Sequence, residues 1–293
     1  MSAHLKQDEP VTSNRLDGMK QGIVGQPLSR VEGLAKVTGT APYAAEYKID
    51  NVAEGVLVTA PITRGEVTSI DKDSVLSMPG VLAVLDDERL TTRAAQGTAN
   101  EAPQQDPATV CYWGQPIAVV VAETFEQARD AAKHLKVEYR VHEGAPLDPH
   151  QVAPEEQEDE TVNQGDLDAA MSRAAHTVDV EIATEGHASA AMEPHAAIAE
   201  WRDDKLTVHA SLQMPNYNIA ELADSLGIEE SDIRLVSRYV GGGFGSKLGV
   251  SEETVAAAIA ARELGRPVRV VMSRQQVFQC IMRRSETTQK LRL

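Results

Sequence analysis

Short apolar segments alternate with helical segments along most of the chain. In the first half, apolar runs at Gly55–Val58, Val81–Leu85 and Ile117–Val121 predict strands. The last run is apolar at every position, which is typical of a strand buried on both faces. A short helix is predicted around Asp71–Met78, because a proline and a glycine follow it directly.

The helix after the third of these strands carries its own start signal. Thr124 offers a hydroxyl as N-cap and Gln127 follows three residues later, as in a capping box. Apolar residues then recur at helical spacing up to Leu135. Residues 137–141 alternate apolar and charged, which predicts a half-exposed strand. These elements indicate an α/β domain that closes near Pro149.

The second half continues the alternation. Its predicted strands are Val178–Ile182, Leu206–Ala210, Ile233–Val240 and Val268–Met272, and its predicted helices are Asn218–Leu226 and Ser251–Leu264. Gly227 and Gly265 follow the two helices, where glycine commonly ends a helix. Residues 288–293 alternate polar and apolar, which predicts a final strand with a free edge that needs a partner.

The pattern divides the chain into three parts. Residues 1–22 are polar without periodicity and predict a flexible tail, while residues 23–149 and 150–293 predict two domains. Residues 93–109 have the composition of a long surface loop. The acid-rich stretch 153–161 predicts a solvated linker between domains, with an interaction tail as the alternative.

Composition narrows the classes of partner. The 293 residues include 44 acidic and 28 basic side chains, which gives a formal charge of −16. This balance argues against nucleic acid and anionic membrane surfaces, so a small-molecule or protein partner is expected. No run approaches the roughly 20 apolar residues of a membrane span. Because no secretory signal is visible, a cytoplasmic location is the default expectation, and periplasmic export with a partner is the alternative.

A glycine-rich loop is the most informative chemical feature. Gly241–Gly245 contains four glycines around Phe244, between a predicted strand and a predicted helix. Such a loop brings backbone N–H groups close to an anion, and the helix N-terminus adds positive potential. Both a P-loop and a dinucleotide fingerprint fail at Ser246, which separates the last glycine from Lys247. The pattern favours an anion-binding loop over a plain tight turn.

Other candidate residues carry weaker signals. Met192–His195, with His187 nearby, suggests a metal cluster only weakly, and structural histidines are favoured because no further ligand pair accompanies them. Gln213 follows a predicted strand, where glutamine commonly hydrogen-bonds a loop. Cys111 and Cys280 lack the basic neighbours that activate a thiolate.

Several motifs in order resemble one family. Gly25–Ala44 resembles the opening of the molybdenum-cofactor subunit of the xanthine dehydrogenase/aldehyde oxidoreductase family, and Gly114–Thr124 is similar to its next block. Met192–His195, Gln213 and Gly241–Lys247 follow in the family's order. The resemblance implies an α/β (α+β) fold. It places a hammerhead-type domain at 23–149 and the first part of the molybdenum-cofactor-binding domain at 150–293.

The resemblance also implies a cofactor site. The family's cofactor is a molybdenum-pterin, either molybdopterin or its cytosine dinucleotide form. Gln213 takes the position that approaches the oxo ligand of molybdenum in the family, and it is the only catalytic residue expected here. Backbone atoms of Gly242, Gly243, Phe244 and Gly245 are expected to hold the pterin. The family's glutamate base belongs to a later part of the subunit, so no base is assigned in this chain.

Family members hydroxylate aldehydes or N-heterocycles with oxygen from water and pass the electrons to an iron–sulfur subunit. Leu248 stands where purine-oxidising members carry glutamate, which favours aldehydes. We expect this chain to be half of a split molybdenum-binding subunit, inactive alone and completed by a second polypeptide. Separate subunits are expected to carry the [2Fe-2S] clusters and FAD. The alternative is a non-catalytic remnant or assembly module that retains the fold.

The cysteine count gives a first prediction. Each [2Fe-2S] cluster takes four protein ligands, commonly all cysteine, and this sequence contains two cysteines. We expect iron analysis of the purified chain to read near zero. Stoichiometric iron in the isolated chain would contradict the assignment of the clusters to a partner.

Overall fold

The computed structural model describes residues 25–91, 106–144 and 164–293, together with a few isolated positions. The chain forms two compact units, residues 1–41 and Pro42–Leu293. Nearly all of the predicted tail, most of the predicted loop at 93–109 and the acid-rich linker lie outside the described residues. The boundary near residue 150 therefore stays a prediction.

The strands are β1 (Ala53–Thr59), β2 (Gly65–Asp71), β3 (Val81–Leu85), β4 (Thr109–Val110), β5 (Pro116–Ala122), β6 (Lys136–Val141), β7 (Asp179–Thr184), β8 (His187–Ala188), β9 (Ala196–Arg202), β10 (Lys205–Ala210), β11 (Ile233–Val236), β12 (Val268–Val271), β13 (Arg283–Arg284) and β14 (Thr287–Arg292). The helices are α1 (Gly33–Val37), α2 (Asp73–Leu76), α3 (Phe125–His134), α4 (Leu167–Arg173), α5 (Pro215–Leu226), α6 (Glu252–Leu264) and α7 (Arg274–Cys280). The mixed α/β class is confirmed.

A seven-stranded mixed sheet forms the centre of the second unit. Its order is β11-β10-β9-β12-β1-β5-β3, with parallel pairing in β1/β12 and β10/β11 and antiparallel pairing elsewhere. The β1/β12 pair, which aligns Ala53 with Val268, joins strands from the two predicted segments into one sheet. All seven residues of β5 are buried, as its continuous apolar run predicts.

Helix α6 packs on this sheet and is buried along most of its length. Every residue from Glu252 to Ala261 is buried, and the Trp201 indole of β9 donates to the Ala258 carbonyl at 2.8 Å. Gly265 ends the helix in the left-handed region, as expected. Ser251 occupies the N-cap position, but its side chain makes no capping hydrogen bond. The helix therefore starts where predicted without the hydroxyl cap that the sequence suggested.

The remaining elements largely follow their sequence patterns. Thr124 and Gln127 form the expected capping box at α3, with N–H···O distances of 3.3 and 3.1 Å. Helix α5 begins at Pro215, earlier than predicted, because proline is favourable in the first helical turn. The predicted strand 233–240 ends at Val236, where the chain turns toward the glycine loop. The sequence analysis missed the strands β2 and β9 and the helix α7, together with the short elements α1, α4, β4, β8 and β13.

The last strand has a partner within the chain. β14 pairs antiparallel with β7, and Val178 and Leu293 exchange backbone hydrogen bonds of 2.8 and 2.9 Å beyond the ends of the two strands. All residues of both strands are exposed. The predicted strand is confirmed, and β7 covers one of its two edges. Among the described residues, no helix is long and apolar enough to span a membrane.

Gly55 in β1 tests the packing of the shared sheet. A Cβ added at Gly55 would lie 2.7 Å from a Val270 methyl group and 3.3 Å from a Val119 methyl group. We expect Gly55→Ala to lower the free energy of unfolding by about 1–3 kcal/mol through overpacking, measured by urea denaturation. At the control position Gly33, a Cβ would meet only Arg30 at 3.5 Å. Equal stability of the Gly55→Ala and Gly33→Ala proteins would contradict this packing.

Candidate functional site

The glycine loop lies between β11 and α6 in an unusual backbone conformation. Gly242 and Gly245 have φ values of 98° and 91°, and Phe244 has a φ of 53°. The left-handed region costs a side-chain-bearing residue about 1–2 kcal/mol, so the loop holds Phe244 in a strained conformation. Its ring is 78% exposed. The loop thus displays both an aromatic ring and its own backbone.

Three consecutive backbone N–H groups of the loop are available to a ligand. Among the described residues, the N–H groups of Gly242, Gly243 and Phe244 have no hydrogen-bond partner. Gly243 is nevertheless a buried residue. Buried backbone donors are almost always paired, so an unpaired one next to two others marks a place for an acceptor.

Gln213, just after β10, is oriented by the same loop. Its Oε1 accepts hydrogen bonds from the backbone N–H of Gly245 at 3.1 Å and of Lys247 at 3.3 Å. Its own backbone N–H donates to the Lys247 carbonyl at 2.7 Å. Since Oε1 is engaged, the Nε2 amide group is left as a donor with no partner among the described residues. The structure therefore brings Gln213 and the glycine loop together, as the resemblance implies.

Glu193 and Lys247 connect the two ends of the loop, and the sequence reading missed both roles. Lys247 is fully buried and its Nζ lies 2.9 Å from Glu193 Oε2. Burial lowers the pKa of the Lys247 ammonium, and the hydrogen bond to Glu193 opposes that shift. The motif at 192–195 and the lysine after the last glycine were the available signals. Neither indicated that the two side chains meet.

The two histidines near this site occupy different environments. His195 is 1% exposed and its Nε2 lies 2.9 Å from the Ser246 carbonyl oxygen, which makes it a structural donor at the end of the loop. His187 is exposed in β8 and pairs across to Arg284 of β13. No group of three potential metal-ligating side chains is found in the described part of the chain.

A cavity of about 630 Å³ opens beside the loop. Phe244, Gly245 and Ser246 form one wall, and residues 187–190 and 282–284 form the other. Arg283 and Arg284 bring positive charge to a protein whose formal charge is −16. The cavity, the free N–H groups and the exposed ring together suit an anionic, partly planar ligand.

Comparison with protein families assigns both halves of the chain. Residues 38–143 match the family model "Aldehyde oxidase and xanthine dehydrogenase, a/b hammerhead domain". Residues 148–293 match the model "Molybdopterin cofactor-binding domain". The chain belongs to the aldehyde oxidase and xanthine dehydrogenase family. The hammerhead assignment and the molybdenum-binding assignment made from sequence are thereby confirmed.

The relatives of this chain include proteins named as molybdenum-binding subunits. The chain is 38% identical to the aldehyde oxidoreductase molybdenum-binding subunit PaoC of Escherichia coli (strain K12), over 99% of this chain and 40% of that protein. It is 31% identical to the nicotine 6-hydroxylase large subunit of Paenarthrobacter nicotinovorans, over 91% of this chain and 34% of that protein. The chain thus spans 34–40% of the length of these two relatives.

A solved structure shows the same fold. The aldehyde oxidoreductase from Desulfovibrio gigas superposes with a TM-score of 0.77 at 24% identity, over 90% of this chain and 32% of that chain. The loop of this chain fits a family cofactor: its unpaired N–H groups suit anionic acceptors, and a Cβ added at Gly245 would meet nothing within 4 Å. The residues in place for the pterin are therefore compatible with it.

Gly243 tests the link between the loop and Gln213. A Cβ on Gly243 would lie 2.2 Å from Gln213 Oε1, whereas its φ is not in the left-handed region. We expect Gly243→Ala to displace the Gln213 amide and to speed amide exchange at Gly245 and Lys247 by about tenfold or more, measured by hydrogen–deuterium exchange.

Gly186→Ala is the control for this prediction, because its Cβ would lie 3.3 Å from the flexible Glu286 carboxylate and would make ordinary contacts of 3.5 Å with the Arg284 carbonyl and 3.7 Å with the Arg283 guanidinium. Unchanged exchange in the Gly243→Ala protein would show that the loop does not hold Gln213.

Proposed function

We propose that this chain forms the first part of the molybdenum-cofactor-binding subunit of a molybdenum hydroxylase. The observation that carries the proposal is the contact between Gln213 and a loop whose N–H groups at Gly242–Phe244 have no partner among the described residues. Family membership supports it independently. The cofactor is a molybdenum-pterin, either molybdopterin or its cytosine dinucleotide form.

Each group of the loop has a distinct role in this proposal. The N–H groups of Gly242, Gly243 and Phe244 would donate to acceptor atoms of the pterin, and the open space at Gly245 would admit it. The Nε2 group of Gln213 would donate to the oxygen ligand of the metal. When bound, the cofactor supplies a two-electron oxidation of substrate with oxygen derived from water. This chain contributes binding and a preorganised donor, and a base is expected outside it.

The residue after the loop lysine supports one substrate class over another. Leu248 is 37% exposed and carries no charge. A carboxylate in that position can hydrogen-bond a purine, and leucine cannot. The aldehyde oxidoreductase subunit of Escherichia coli is also more similar than the nicotine hydroxylase, at 38% against 31% identity. We therefore propose an aldehyde substrate, with N-heterocycles as the alternative.

We propose that the active assembly contains more protein than this chain. Its relatives are longer, and the chain covers 40% of PaoC. We propose that the remaining portion is supplied by a second polypeptide, and that iron–sulfur and flavin subunits with [2Fe-2S] and FAD accept the electrons. This chain alone is then inactive. Free Cys111, which is exposed, and buried Cys280 provide no cluster site.

Purification of the native complex tests this function. We expect a tagged chain to co-purify with the remaining portion, to contain molybdenum, and to oxidise aromatic or aliphatic aldehydes faster than hypoxanthine. A metal-free complex without turnover would favour the non-catalytic module. Preferential purine oxidation would overturn the substrate class.

Gln213 gives a sharper test in the assembled enzyme. Removing one preorganised donor near developing charge typically costs about 10²–10³-fold in turnover. We expect Gln213→Ala to lower kcat by that order while molybdenum content stays near wild type, because the loop N–H groups remain. Molybdenum analysis beside an aldehyde-oxidation assay measures both quantities. Gln289→Ala, in exposed strand β14, should change neither.

A further inference from the structure

The carboxylate of Glu193 is a junction for four parts of the chain, and its Oε1 accepts from the backbone N–H of Ala44 at 3.4 Å. Its Oε2 accepts from the backbone N–H of Gly241 at 2.6 Å, from Ser211 Oγ at 2.6 Å and from Lys247 Nζ at 2.9 Å. The Glu193 N–H in turn donates to the Gly241 carbonyl at 3.3 Å. Gly241 must be glycine for this approach, since an added Cβ would lie 2.6 Å from Glu193 Cβ.

Lys247 holds the other end of the loop. Besides the carboxylate, its Nζ donates to the Glu193 carbonyl at 3.1 Å and to Ser211 Oγ at 2.9 Å. An ammonium has three donors, so this buried side chain is fully satisfied. The Lys247 backbone meanwhile exchanges hydrogen bonds with Gln213. One buried cation thus connects the start of the loop, its end and the candidate catalytic amide.

We propose that Glu193 and Lys247 are a positioning pair for the cofactor loop. Together they fix the separation between Gly241 and residue 247, and the free N–H groups at 242–244 lie on the span between them. Neither side chain touches the cofactor in this proposal, because all three Lys247 donors and both Glu193 carboxylate oxygens already have partners within the chain. The inference deepens the proposed function and rests on it for the identity of the ligand.

Stability alone does not account for this pair. A buried ion pair is often no more stabilising than a well-packed apolar pair, because both charges lose their hydration. Here the hydrogen bonds of the pair run to the loop and to Ser211, which follows β10, and do not run only between the two charges. If the role of the pair is geometric, removing the acceptor for the Gly241 N–H should loosen the loop even after both charges have been removed. If the role is purely electrostatic, removing that acceptor should have no further effect on the loop.

Two double variants of the full protein, expressed with its partners, separate these roles. Glu193→Gln with Lys247→Met removes both charges and keeps an oxygen acceptor for the Gly241 N–H. Glu193→Leu with Lys247→Met removes the charges and the acceptor. Neither double variant leaves a buried charge without a partner. An unpaired buried charge would itself destabilise the fold.

We expect the Leu/Met protein to exchange the amides of 241–246 about tenfold faster than the Gln/Met protein, and to retain severalfold less molybdenum. Melting temperature should differ little between the two. Equal exchange and equal molybdenum content in both folded variants would overturn the proposal. The exposed pair Lys72 and Asp86, changed to Met and Leu, is the control and should leave the loop unaffected.

Lys247→Arg provides a second arm if the Leu/Met protein does not fold. Arginine keeps the positive charge. Its guanidinium is planar, however, and cannot reproduce the three hydrogen bonds that the single Nζ atom of Lys247 donates to Glu193 and Ser211. Positioning predicts faster loop exchange in this variant, and wild-type exchange would overturn it. Amide exchange of residues 241–246 measured without cofactor tests the role of the Glu193–Lys247 pair alone. A wild-type complex that contains no molybdenum would instead contradict the proposed function.

Discussion

The buried contact between Lys247 and Glu193 is the interaction on which the candidate site depends. It joins the segment before β9 to the second residue after the glycine loop, across 54 positions of sequence. Because Lys247 also pairs with Gln213 through its backbone, the loop and the amide share one support. The charges are costly to bury, and the hydrogen bonds around them offset that cost only in this arrangement.

That support is rigid because the elements on either side belong to one core. β9, β10 and β11 are neighbours in the seven-stranded sheet, and α6 packs against it directly after the loop. The Trp201 hydrogen bond to the Ala258 carbonyl fastens helix to sheet. The loop is therefore a short span between fixed ends, which allows it to keep Phe244 in a strained conformation and three N–H groups unpaired.

A site built mainly from backbone donors has consequences for specificity. The N–H groups of the loop recognise an acceptor by position and are indifferent to the rest of the ligand. In the proposed function, substrate selection depends on side chains around the loop, of which Leu248 is one in this chain.

The sequence determined the local elements and the nature of the loop. Continuous apolarity gave β5, the Thr124–Gln127 pair gave the start of α3, and four glycines around one phenylalanine indicated an anion site, since each signal acts within a few residues. Tertiary structure alone decided how distant segments meet. The pairing of β1 with β12, and the meeting of Glu193 with Lys247, depend on long-range packing that no local pattern encodes.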